Sequence, residues 1–224
     1  LDDDVAAVFV EPILGEAGVI DLPEGYLAEA RALTARHGAL LVLDEVQTGV
    51  GRTGDWYAFH RDGITPDIVT TAKGLAGGVP IGATVAFGAA ASLFTPGRHG
   101  TTFGGNPLAT TAALAVLGEI ERAGLVANAR AMGERFRAGI EALGSPLVTD
   151  LSGRGLLIGV GLAAPVADEV VAKALTAGLI INAAGASRLR VAPPLIVGAD
   201  HIDEAVAVLG DVFAAVHEAR AVRT

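Results

Sequence analysis

Residues 39–49 read ALLVLDEVQTG, and residues 68–78 read IVTTAKGLAGG. In each, an apolar run of strand length ends at a charged residue: Asp44 closes the first, and Lys73 stands just past the second. Runs that are apolar on both faces suit a parallel sheet covered by helices. In open α/β sheets the ligand crevice lies outside the carboxyl ends of the strands, and a spacing of 29 residues fits one strand-to-strand crossover. A lysine there can form an imine with an aldehyde cofactor. An aspartate there can keep a pyridine nitrogen protonated, so that the ring accepts electrons. Together they are the pair a pyridoxal-phosphate enzyme needs. Each residue alone has a plainer reading, aspartate as a cap and lysine as a solvated surface residue, so the surrounding text decides.

Working outward, residues 5–10 read as a buried strand. Asp21 and Glu24 have the spacing of a capping box before a helix whose Tyr26, Ala30 and Leu33 share a face, and Gly38 ends that helix. Strands are predicted over 39–43, 68–71 and 81–87, the last two flanking the Lys73 loop, whose glycines 74, 77 and 78 allow a tight turn. Asn106 followed by Pro107 is a cap and first-turn proline, opening a helix with Ala113, Val116 and Ile120 at core spacing. Beyond Gly124 the pattern changes to a helix near 128–143, strands near 147–151 and 156–162, a helix near 166–177, and strands near 179–182 and 188–191. A final helix follows with Ile202, Val206, Leu209, Phe213 and Val216 on one face, capped by Asp200. The expected division is a large α/β domain over 1–124 and a small α+β domain over 125–224.

At 224 residues and 51% hydrophobic, the chain can bury a substantial core, and 30 glycines with few aromatics suit an α/β protein rich in tight turns. A net charge of −9 without a basic patch argues against nucleic acid as a partner. No cysteine occurs, which excludes disulfides and thiolate metal sites and is compatible with a reducing, cytoplasmic location. The histidines at 37, 60, 99, 201 and 217 show no metal-ligand spacing. No apolar run approaches the ~20 residues that span a bilayer, so no membrane partner is expected. Nucleophile-elbow and dinucleotide-binding glycine motifs are missing, which argues against hydrolase and Rossmann readings.

DEVQTGVGRTG (44–54), PDIVTTAKGLAGGVPIGA (66–83) and HGTTFGGNPLA (99–109) resemble, in order, the motifs of the class III, fold-type I aminotransferases. EPILGEAGV (11–19) and RLRVAPPLIV (188–197) look like the flanking motifs of the same family, so the resemblance covers nearly the whole chain. RTGDWYAFHRDGITPDIV (52–69) and GRGLLIGV (153–160) are most similar to its acetylornithine aminotransferases. The resemblance implies the C-terminal part of the pyridoxal-phosphate transferase fold, a mostly parallel large domain with a small α+β domain.

It also implies site residues. Lys73 holds the cofactor and serves as the proton-transferring base, a role requiring a neutral amine for part of the cycle. Asp44 pairs with the pyridinium nitrogen, and Gln47 bonds the phenolic oxygen; otherwise Gln47 is a polar residue of a helix first turn. Thr102 reaches the phosphate of the neighbouring subunit's cofactor, implying a homodimer with a shared site; otherwise it is a loop cap. Glu16 and Arg190 meet over the substrate, the arginine fork binding a carboxylate and Glu16 neutralising it while the amino donor reacts; otherwise they form a salt bridge between domains. The implied activity moves the distal amino group of N2-acetylornithine to 2-oxoglutarate, in arginine biosynthesis. Leu14 departs from the glutamine common in EPIQGE-type motifs, and ornithine, 4-aminobutyrate or succinyldiaminopimelate are alternative donors.

The chain enters an apolar strand almost at once, without an initiator methionine or the upstream phosphate-cradling turn of the family. A piece of a longer protein is therefore expected, and a catalytically incomplete chain acting as a dimerisation partner is the alternative from outside enzymology.

Overall fold

The computed structural model describes residues 1, 2 and 4–221; the last three residues of the expected small domain lie outside them. In chain order the elements are β1 (Ala7–Val10), the short strands β2 (Ile13–Leu14) and β3 (Ile20–Asp21), α1 (Tyr26–His37), β4 (Leu40–Asp44), β5 (Ile68–Thr71), β6 (Ala83–Ala86), α2 (Pro107–Arg122), α3 (Leu125–Ala142), β7 (Val148–Arg154), β8 (Leu157–Leu162), α4 (Ala167–Thr176), β9 (Asn182–Ala183), β10 (Arg188–Val191) and α5 (Ala199–Ala221). They form two compact units. The first holds Leu1–Pro12 and Leu22–Val126, and the second holds Ile13–Asp21 and the chain from Ala127 on. Residues 13–21, which the sequence reading leaves in the first domain, thus cluster with the second unit, because β3 lies against β7.

The first unit is a four-stranded sheet in the order β1-β4-β5-β6, with β1, β4 and β5 parallel and β6 antiparallel. Alternation along β4 sends Leu41 and Leu43 into a core with Leu27, Phe59 and Val69, while Val42 is buried on the other face. Asp67 fixes the register of this sheet. Its backbone N–H donates to Leu41 O (2.9 Å), its carbonyl accepts from Phe87 N (2.8 Å), and its carboxylate accepts from Leu41 N (2.8 Å) and Arg31 of α1 (2.6 Å). A single residue therefore ties three strands and a helix together just before β5 delivers Lys73.

Asn106 caps α2 through its side chain, accepting from Ala109 N at 3.0 Å, and Ala109, Ala113 and Ile120 are its buried face. Gly38 ends α1 in the left-handed conformation (φ 66°), as the sequence predicts. The predicted capping box at its start does not form. Gly25 occupies the N-cap position with no side-chain bond, because the Asp21 carboxylate is engaged by Gly153 N at 2.7 Å in the second unit. Tyr26 is correspondingly exposed, and Leu27 and Thr34 are buried instead. The expected strand over 81–87 is shorter, ordered as β6 alone.

The second unit is an antiparallel sheet in the order β7-β8-β10-β9 with α3, α4 and α5. β8 is buried along its whole length. Its Ile158, Val160 and Leu162 join Phe136 and Ile140 of α3, Val170 of α4, Leu189 of β10, and Ile202, Leu209, Phe213 and Val216 of α5 in one core. Four of the five residues predicted to form the buried stripe of α5 are in that core, and the fifth, Val206, packs against it.

Candidate active site

Asp44 is the last residue of β4, and Lys73 follows β5 by two residues. The two strands are parallel neighbours with Asp44 opposite Thr70, so the carboxylate and the amine both stand at the carboxyl edge of the sheet. Asp44 Oδ1 accepts from Val46 N at 3.0 Å, and Oδ2 takes no hydrogen bond among the described residues. Lys73 is exposed, and its amine makes no hydrogen bond or ion pair among the described residues. Its backbone lies in the left-handed region (φ 43°), a conformation that costs a side-chain-bearing residue about 1–2 kcal/mol and that occurs at functional sites where the surroundings over-determine it. Those surroundings are β5 before it and the turn 73–76 after it, which packs Leu75 and Ala76 inward.

This donor set fits pyridoxal phosphate: an uncommitted primary amine for the aldehyde, and a carboxylate oxygen with spare accepting capacity for a protonated ring nitrogen. Gln47 lies in the turn that follows β4, not in the first turn of a helix. Thr102 is exposed on the loop before α2, where Thr101, not Thr102, makes the loop's own bond by accepting from Gly104 N at 3.2 Å.

Sequence inspection did not single out Glu45. It is fully buried between Asp44 and Gln47, and its carboxylate accepts from Thr48 Oγ1, Ala58 N (3.0 Å) and Phe59 N (3.0 Å). Its backbone N–H donates to Thr70 O of β5 at 2.9 Å, and its carbonyl accepts from Gly49 N at 2.9 Å. The excursion from 45 to 59 is thereby folded back on the strand end that carries Asp44. Burial pushes the Glu45 carboxyl above the usual carboxylate range, with the three donors pulling it back in part. A buried glutamate next to an aspartate leaves no periodic mark in the sequence, which is why the pattern is silent about it.

In the second unit, Arg190 of β10 and Glu16 of the β2–β3 turn meet across 174 residues of chain, Nη1 to Oε2 at 2.8 Å. Arg190 also donates to Gly15 O at 3.2 Å and, through Nε, to Asn182 Oδ1 at 3.3 Å. Both partners belong to one unit, so the pair is not the inter-domain salt bridge that the sequence leaves open. The arginine side chain is 18% exposed and the glutamate 81%. Such a pair holds by at most about 1 kcal/mol. Among the described residues no group of three His, Asp or Glu side chains converges as a metal site, and no helix is long and apolar enough to cross a membrane.

The aminotransferase class-III family model matches residues 1–213. The acetylornithine aminotransferase of Mycobacterium tuberculosis is 58% identical over 209 residues, 93% of this chain and 52% of that protein. That of Streptomyces coelicolor is 54% identical over 202 residues, 90% of this chain and 50% of that protein. The crystal structure of the Toxoplasma gondii ornithine aminotransferase superposes with TM-score 0.91 at 35% identity, covering 97% of this chain and 53% of that one. The acetylornithine aminotransferase of Elizabethkingia anophelis does so with TM-score 0.86 at 34% identity, covering 93% and 54%. The chain thus spans about half the length of the relatives it matches. Class-III aminotransferases depend on pyridoxal phosphate, the cofactor that the Asp44 and Lys73 donor set fits. With a match running almost end to end and a mixed α/β fold shared with its neighbours, this chain belongs to the class-III aminotransferase family.

Proposed function

We propose that this chain carries the lysine-bearing part of a pyridoxal-phosphate aminotransferase that moves the distal amino group of N2-acetylornithine to 2-oxoglutarate, a step of arginine biosynthesis. The observation that carries the reading is the placing of Asp44 and Lys73 at the carboxyl ends of adjacent parallel strands. The relatives at 54–58% identity support acetylornithine as the donor.

When bound, pyridoxal phosphate supplies an aldehyde that captures amines and a protonated ring that accepts an electron pair. Lys73 would hold that aldehyde in the resting enzyme, and its Nζ would carry the proton taken from and returned to the reacting carbon of the substrate. Asp44, one oxygen of which is fixed by Val46 N, would keep the ring nitrogen protonated. Gln47 hydrogen-bonds the phenolic oxygen. Arg190 binds a carboxylate of 2-oxoglutarate through its fork. Glu16 covers Arg190 while acetylornithine reacts and moves aside for the keto acid, a motion that the solvent exposure of Glu16 keeps inexpensive.

Thr102 acts toward the neighbouring subunit's phosphate in a homodimer. The exposed Leu93, Phe94, Phe103 and Leu108 around its loop support a covered face there. We assign the enzyme to the cytoplasm, in keeping with its cysteine-free sequence.

Ornithine as donor is the second reading, favoured by the ornithine aminotransferase neighbours. A catalytically incomplete chain acting in dimerisation is the third. Borohydride reduction with added pyridoxal phosphate, followed by peptide mapping, tests the site, and a fixed adduct confined to Lys73 is expected. Initial rates with acetylornithine and with ornithine then separate the donors. Labelling spread over surface lysines would overturn the site, and a preference for ornithine would overturn the donor.

A further inference from the structure

Arg188 lies two residues before Arg190 on β10, so both side chains leave the same face of the strand. The two arginines grip opposite ends of one turn. Arg190 donates to Gly15 O at 3.2 Å and pairs with Glu16, while Arg188 Nε donates to Gly18 O at 3.0 Å. Arg188 is itself braced by the sheet. Nη1 contacts Asp150 Oδ2 at 2.9 Å, and Nη2 donates to Ser152 Oγ at 2.6 Å. The Ser152 hydroxyl in turn donates to Val19 O, and Gly153 N holds Asp21 at 2.7 Å.

The strand beneath is shaped for this arrangement. Gly159 and Gly161 stand opposite Arg190 and Arg188, and a Cβ on Gly159 would lie 2.6 Å from Gly18 O and 3.0 Å from Arg188 Nη2. The turn therefore lies flat on β8, and an alanine at 159 would push it away.

We propose that Arg188 is a positioning residue for donor selectivity: by clamping Gly18 to the sheet it holds Glu16 over Arg190 during the donor half-reaction. The inference rests on the reading of Glu16 and Arg190 as a substrate switch. Glu16 is exposed at its carboxylate, and the turn that carries it is held at Gly15 and Gly18, so the strength of the cover depends on the anchoring of the turn. Losing Arg188 loosens the Gly18 end of the turn and with it the Glu16 cover over Arg190, whose uncovered fork is the state suited to 2-oxoglutarate. Arg188→Ala should therefore reproduce the signature of Glu16→Gln.

The test compares wild type, Arg188→Ala, Arg188→Lys and Glu16→Gln as cofactor-loaded enzymes in single-turnover half-reactions, with hydrogen–deuterium exchange over residues 15–20. Arg188→Lys keeps a cation beside Asp150 but cannot reach Gly18 and Ser152 together, and it serves should the alanine variant not fold. Expected are faster exchange in the turn, a donor half-reaction slowed roughly ten- to hundredfold, and a 2-oxoglutarate half-reaction within about twofold of wild type. Unchanged exchange, or equal losses in both half-reactions, would overturn the proposal. A Glu16→Gln enzyme with no difference between its half-reactions would overturn the underlying switch reading, and the role of Arg188 with it.

Discussion

Lys73 stands in a backbone conformation that its own side chain opposes, and this separates its effect on stability from its effect on chemistry. At φ 43° an L residue is disfavoured by about 1–2 kcal/mol, whereas glycine adopts the same region freely. Glycine also loses about 0.5–1 kcal/mol through the larger freedom of its unfolded chain. Lys73→Gly is thus expected to stabilise the cofactor-free first unit by about 0.5–1 kcal/mol. The exposed amine makes no hydrogen bond or ion pair among the described residues whose loss would offset the gain. Lys73→Ala retains the strain and should stay within about 0.5 kcal/mol of wild type. Both variants lose the lysine-linked cofactor. Urea unfolding followed by the fluorescence of Trp56, the single tryptophan and a residue of the first unit, reads this directly, with equal slopes confirming a common transition. An order of stability with alanine above glycine would refute the argument, because it would mean that residue 73 relaxes out of the left-handed region once the side chain is gone.

Asp44→Asn should retain bound cofactor while turnover falls by roughly 100-fold or more; steady-state rates within a few-fold of wild type would remove Asp44 from the site. Glu45→Ala strands the buried N–H groups of Ala58 and Phe59 and the Thr48 hydroxyl, and should cost about 3 kcal/mol in chemical denaturation. Because burial raises the Glu45 carboxyl above its ordinary value of 4.5, its contribution to stability is fully present below that value and is lost as pH rises through the higher folded value. Melting temperatures of wild type and Glu45→Gln measured from about pH 4 to 7 should therefore diverge, with the steeper fall on raising pH in wild type. Thr71 Oγ1 is buried without a hydrogen-bond partner among the described residues, so Thr71→Val should stabilise by about 1 kcal/mol in the same denaturation assay; a loss instead would point to a partner for that hydroxyl.

Several features of this protein are legible in sequence because their causes are local. The apolar runs ending at Asp44 and before Lys73, the Asn106–Pro107 helix start, the Gly38 stop and the buried stripe of α5 each depend on side-chain period or on the backbone preference of one or two residues. The pairing of Glu16 with Arg190 came from resemblance in motifs, and the structure brings the two side chains together within one unit.

The tertiary structure decided what depends on partners far along the chain. Asp21 has a capping-box spacing, yet it serves Gly153, 132 residues away, and leaves the cap to Gly25. Glu45 is charged in sequence and wholly buried in the fold, because two amides 13 and 14 residues on and a threonine hydroxyl replace water around it. Arg188 carries no mark in the sequence, and its grip on Gly18 exists because β8 presents glycines where the turn must lie. Local preference is written residue by residue. The hydrogen-bond partner of a buried polar group is chosen by whichever distant segment the packed core brings within 3 Å, a property of the whole fold.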